Sequence, residues 1–134
     1  MNETSIALIG YILWMIFLVL AIISLRSVLV LTGRKPANGF LPTGNDVSPF
    51  MERLTRVHGN AYEHFPIFGG VLLLALFLQM ESITNSLAYT LLELRISQGV
   101  VHMVSKSILF VYIRLTLFLA QIGITIYWIM HFFQ

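Results

Sequence analysis

Apolar positions in this chain come in four long blocks separated by polar breaks. A bilayer core needs about 20 mostly apolar residues per helix. Blocks over about residues 5–32, 47–80, 83–105 and 108–133 reach that length. Arg26 interrupts the first block late, the second is uniformly apolar only from Phe65, and the third is the least apolar. The stretch TGRKPANGFLPTGNDVSP is rich in Gly, Pro and Asn. It reads as a loop over about residues 33–46. The very short third connection makes the last two helices antiparallel neighbours. The expected fold is all-α: a polytopic membrane protein with a single four-helix transmembrane domain over residues 1–134. The N-terminus lacks a positive leader region, and its apolar run exceeds the roughly 7–15 residues of a signal peptide. It reads as a retained helix.

Within the apolar blocks, polar residues fall into stripes. Residues three, four or seven apart share a helix face. Glu52, Arg56, Asn60 and Glu63 form one stripe in the second block. Arg95, Gln98, His102 and Ser105 form another in the third, and Arg114, Phe118, Gln121 and Thr125 one in the fourth. A charge at mid-bilayer costs at least about 2.5–3.5 kcal/mol on insertion scales. The stripes are therefore expected to turn inward, toward one another or a wet cavity. Pro66 removes the helical partner of the Tyr62 carbonyl and predicts a kink after Glu63. Trp128 reads as an interfacial anchor.

Composition agrees with the pattern. The chain is 57% hydrophobic and 10% charged, where soluble domains average about 25% charged. The net charge is +2, and the eight basic residues are scattered rather than clustered, which excludes a nucleic-acid surface. There are no cysteines, so any thiol chemistry uses a thiol brought by the substrate. No pair of histidines has metal spacing on one helix face, and no metal site is expected. Arg34, Lys35, Arg53 and Arg56 lie in or beside the first loop and Lys106 at the third turn, while the other ends carry Glu3 and Glu81. The positive-inside rule puts the loop in the cytoplasm and both termini on the other side.

Arginine stays charged and offers a fork of donors that matches carboxylates. Arg56, Arg95 and Arg114 converging would attract a guest with more than one acidic group, while Asn60 and Glu63 would take its ammonium or amide groups. Glutathione meets that description, as would another small dicarboxylate. The competing reading is structural: Glu52 and Arg56 form an i,i+4 pair that needs no ligand. His58 and His64 read as packing residues, whereas His102 lies on a stripe.

The segment ERLTRVHGNAYEHFPIF, residues 52–68, resembles the motif of the MAPEG family, the membrane-associated proteins of eicosanoid and glutathione metabolism. RISQG (residues 95–99) and IRLTLFLAQ (residues 113–121) are similar to parts of the third and fourth helices of its members. The resemblance spans essentially the whole chain, at a size close to bacterial members, and implies a bacterial inner-membrane protein. It implies a homotrimer with glutathione bound between protomers as co-substrate. Arg56, Asn60, Glu63, Arg95, Gln98, His102 and, from the loop, Arg34 would bind it, and Arg114 would be catalytic by stabilising the thiolate. A hydrophobic small molecule or lipid would be the second partner. The implied activity is a glutathione-dependent transferase or peroxidase acting on hydrophobic electrophiles. Gly59 stands where prostaglandin synthases carry a second arginine, and Leu115, Thr116 and Phe118 replace their Ser and Tyr, which argues against prostaglandin or leukotriene synthesis. A non-catalytic lipid- or anion-binding helper of the same fold and a small transporter subunit are the alternatives.

Overall fold

Asn2 begins the first helix. Its side-chain oxygen accepts from the Ser5 amide at 2.8 Å, satisfying one of the donors that every helix start leaves open. In the computed structural model, which describes residues 1–134, α1 spans Glu3–Leu31, α2 Pro49–Phe77, α3 Glu81–Val104 and α4 Ile108–Phe132. There are no strands. Helices α1, α2 and α4 are long and apolar enough to cross a membrane. The fourth, α3, has the length at 24 residues but carries Glu81, Glu93 and Arg95.

The loop before α2 runs to Ser48, which caps α2 through a 3.0 Å bond from the Met51 amide, with Pro49 at the first helical position. Proline suits that position because its missing N–H would be unpaired there anyway. The loop is folded back on itself. Lys35 Nζ contacts Asp46 Oδ2 at 2.8 Å and donates to the Gly39 carbonyl at 2.8 Å. The Lys35 hydrogen bond holds the Asp46 carboxyl below the usual carboxylate range, and the Leu41 amide adds to it. Gly44 has φ +73°, and a Cβ there would lie 2.8 Å from Thr55 Oγ1 and 2.9 Å from the Met51 carbonyl. The loop is thus pressed onto the first turns of α2.

Helix α2 is continuous through Pro66 and stops at Phe77. Gln79, at φ +57°, reverses the chain in the left-handed region, a conformation costing a non-glycine residue roughly 1–2 kcal/mol. The Met80 amide bonding the Ala75 carbonyl at 2.8 Å closes the turn. The connection, Leu78–Met80, therefore falls about three residues earlier than the apolar pattern suggests, and Glu81 occupies the first turn of α3, where the helix dipole favours an acid.

Helix α3 is the central one, packed on α1, α2 and α4, while α1 and α4 do not touch. The main core joins Tyr11, Phe68, Leu72, Ala88, Leu91 and Trp128. Trp128 is a correction to the interfacial reading: it is fully buried, because the core cluster that includes Ala88 and Leu91 closes over it. Thr4 ties the start of α1 to the start of α3 through Thr84 Oγ1 at 2.7 Å and Asn85 Oδ1 at 2.7 Å. The outward faces of α1 and α4 are apolar and exposed, for example Leu13, Phe17, Leu20, Leu119 and Met130.

Candidate functional site

By the helical rise of 1.5 Å per residue, Arg56 lies about 10 Å inside the start of α2 and Arg114 about 9 Å inside the start of α4. Both helices start at the same end of the bundle, where α3 finishes with His102. The three side chains meet there. Thr55, Arg56, Gly59, Asn60, Glu63, His102 and Arg114 line a cavity of about 210 Å³. It adjoins one of about 330 Å³ that shares Arg56, His102 and Arg114 and adds Thr43, Asn45, Glu52 and Lys106. A third, of about 270 Å³, opens on the other side of Arg114 between Asn60, His64, Gln98, Val111, Leu115 and Phe118.

Charge within this hollow is unbalanced. Glu52 does not pair with Arg56 along its own helix; it reaches across to Lys106 Nζ at 2.9 Å. That is the only ion pair besides Lys35–Asp46. Arg56 and Arg114 have no carboxylate within 4.0 Å and no side-chain hydrogen bond to protein, and the buried Nε of Arg114 has no partner. A buried donor left unpaired costs about 1–3 kcal/mol. Two unpaired guanidinium groups facing one cavity, with Glu63 as the single free acid beside them, fit an acidic guest that also carries an amine.

Arg95 takes a different position. It is 2% exposed and lies behind the cavity wall. Its Nη2 donates to Asn60 Oδ1 at 2.9 Å and also to Gln98 Oε1. Gln121 Nε2 donates to the same Gln98 oxygen at 2.9 Å. The Arg95 guanidinium also lies over the Phe68 ring, 5.3 Å from its centre. Three helices are cross-linked by this network, and it fixes which end of the Asn60 amide points outward: the oxygen is engaged from behind, so the NH₂ group is available to the cavity. Beneath Arg114, Phe118 meets His64 edge-on at 5.0 Å and Phe68 at 6.0 Å, giving the hollow an aromatic floor.

Of the residues singled out from the sequence, Arg56, Asn60, Glu63, His102 and Arg114 line one cavity. Gln98 lines the neighbouring one, and Arg95 supports both from behind. Arg34 is exposed in the loop and lines none of them. Glu52 lines the hollow with the rest of its stripe, and Thr55 and Lys106 line it without having been expected to. Thr55 and Gly59 are four apart, immediately beside the Arg56–Asn60 stripe, a helical neighbour relation readable from spacing. The Lys106–Glu52 pair joins the α3–α4 connection to α2, a contact that spacing cannot reveal.

The model of the MAPEG family matches residues 4–133 of the chain. No curated protein and no solved structure matches it.

Proposed function

The chain belongs to the MAPEG family, an integral membrane protein by that membership and by its apolar helices, and from that premise we propose that it is a glutathione-dependent transferase or peroxidase acting on hydrophobic electrophiles. The observation that carries the reading is the pair of uncompensated guanidinium groups, Arg56 and Arg114, facing one cavity beside Asn60 and Glu63. Glutathione offers that set two carboxylates, one ammonium group and two amides. Arg56 takes a carboxylate, Glu63 the ammonium, and the Asn60 NH₂ group an amide carbonyl. Arg95 and Gln98 hold Asn60 in register and His102 closes the α3 side; in a homotrimer with the guest at a protomer boundary, Arg34, which lines none of these cavities in its own protomer, would reach the guest only from a neighbouring one.

Arg114 is the catalytic residue. Its guanidinium favours the thiolate, the nucleophilic form of the sulfur. Each unit by which it lowers the thiol pKa requires about 1.4 kcal/mol of differential interaction. With a chloronitrobenzene, glutathione supplies the sulfur nucleophile: a C–S bond forms at the ring carbon, chloride leaves, and the thiol proton goes to solvent. The electrophile reaches the site through lipid, between the free apolar faces of α1 and α4 from neighbouring protomers, while glutathione arrives from the cytoplasm.

Adding glutathione to the purified protein in detergent is expected to give thiolate absorbance near 240 nm and conjugation faster than the protein-free rate. Arg114→Ala is expected to lose both, by at least about a hundredfold in rate, the scale of removing one preorganised electrostatic donor. Glutathione binding with no thiolate signal in the unmodified protein would instead identify the non-catalytic helper.

A further inference from the structure

The largest cavity lies away from this hollow. It measures about 530 Å³ and sits where α1 leaves the bundle for the loop, between Ile23, Val30 and Leu31 on one side and Ala37, Asn38 and Phe40 on the other, with Arg26 and Ser27 at its base. Its depth can be estimated. Helix α1 has 29 residues, about 44 Å by the helical rise, and the hydrocarbon core is about 30 Å thick. Sharing the excess between the two ends leaves about 7 Å of helix in each headgroup layer. Arg26 is five residues before Leu31, about 7.5 Å from the helix end. The guanidinium therefore starts at the boundary between acyl chains and headgroups.

Arg26 is a cation without a counterion. It has no carboxylate within ion-pair distance, since both ion pairs in the chain are made by other residues. Its one hydrogen bond to protein is a long one, 3.3 Å from Nη2 to the Leu41 carbonyl, and its buried Nε has no acceptor. The Phe40 ring lies against it at 5.3 Å. Asp46, which shares the Leu41 peptide segment with it, is committed to Lys35 and the Leu41 amide. A half-buried guanidinium with one buried, unpaired nitrogen at headgroup depth, one turn outward from the exposed Ile23, is complementary to a phosphodiester with an acyl chain attached.

We propose that this cavity binds one anionic phospholipid. The phosphodiester lies on Arg26, assisted by Ser27 and Asn38, and an acyl chain runs along α1 past Ile23. The site is separate from the Arg56–Arg114 hollow and shares no lining residue with it. The full-length protein in neutral detergent, titrated with phosphatidylglycerol or with phosphatidylcholine of the same chains and read by native mass spectrometry, tests it. The expected result is about a fivefold preference for phosphatidylglycerol, the contribution of one basic residue near an anionic headgroup. Arg26→Gln abolishes the preference. Asn38→Asp, an exposed loop change that leaves α1 intact, lowers phosphatidylglycerol binding and spares phosphatidylcholine. Equal binding of the two lipids by the unmodified protein, an unchanged preference in either variant, or displacement of the lipid by glycerol phosphate at equal affinity would overturn the proposal. The glutathione thiolate signal is unaffected by either variant, so the two sites fail or stand independently.

Discussion

Two arginines from the same polar pattern end in opposite physical situations. Arg56 is exposed to the hollow and has no protein partner, whereas Arg95 is sealed in and spends its donors on Asn60 and Gln98. Removing the first should therefore cost binding and removing the second should cost folding. Arg56→Ala is expected to leave the melting temperature in detergent nearly unchanged, within the roughly 0.5 kcal/mol typical of surface changes, and to weaken glutathione binding at least about tenfold, as expected for a charge-assisted hydrogen bond worth about 1.5–3 kcal/mol. Arg95→Leu strips a donor from buried oxygens on Asn60 and Gln98 and is expected to destabilise by about 1–3 kcal/mol. Its effect on binding follows from an Asn60 amide free to turn over. Thermal melts and calorimetric titration of both variants check this. Equal loss of stability in the two would remove the distinction between a guest-facing and a supporting arginine.

Helix spacing decides whether these residues can meet at all, and at Gly99 α3 lies tight against its neighbours. A Cβ there would lie 2.8 Å from Trp14 Cζ2 and 3.1 Å from Val57 Cγ1, so α1 and α2 both press on that point. Gly59, on the hollow side of α2, has nothing within 4 Å of an added Cβ. Overpacking a closed contact costs about 1–3 kcal/mol, while glycine to alanine in an open helical position gains up to about 1 kcal/mol. Gly99→Ala is therefore expected to lower the melting temperature and Gly59→Ala to hold or raise it; the reverse order would mean the helices are not spaced as described. The same comparison marks how far sequence reading goes. The stripe spacings placed Arg56, Asn60 and Glu63 together, because residues on one helix face stay together whatever the packing. The inward turn of the other two stripes followed from the cost of charge in lipid, and Gln98 and Gln121 do bond to each other across α3 and α4. What spacing lacks is the partner helix. Glu52 read as a companion of Arg56 and instead pairs with Lys106, and Trp128 read as an anchor and is instead core. The Arg26 cavity exists only because the loop folds back over α1, and no local pattern encodes that return.

Across the whole molecule, the cations sort to one end. Arg26, Arg34, Lys35, Arg53, Arg56 and Lys106 all belong to the loop side, and the opposite end holds Glu3 and Glu81 with no Lys or Arg. The bonds from Thr4 to Thr84 and Asn85 bring the starts of α1 and α3 together at that acidic end, so the asymmetry is one of the folded bundle and not only of the sequence. A Lys/Arg excess in short flanking segments sets orientation, and the proposed reaction takes the loop side as cytoplasmic. The hollow opens toward that same side, because Arg56 and Arg114 lie about 9–10 Å from helix starts located there. The orientation and the supply of a water-soluble thiol are thus one claim. Because the chain has no cysteine, single introduced cysteines report on it without background. In intact cells a membrane-impermeant maleimide is expected to label Ser82→Cys, in the exposed first turn of α3, and to spare Asn38→Cys in the loop; inverted vesicles should reverse the pattern. Labelling of the loop cysteine from outside would turn the hollow away from the cytoplasmic glutathione pool, and the proposed reaction would then lack its nucleophile even with every side chain of the site in place.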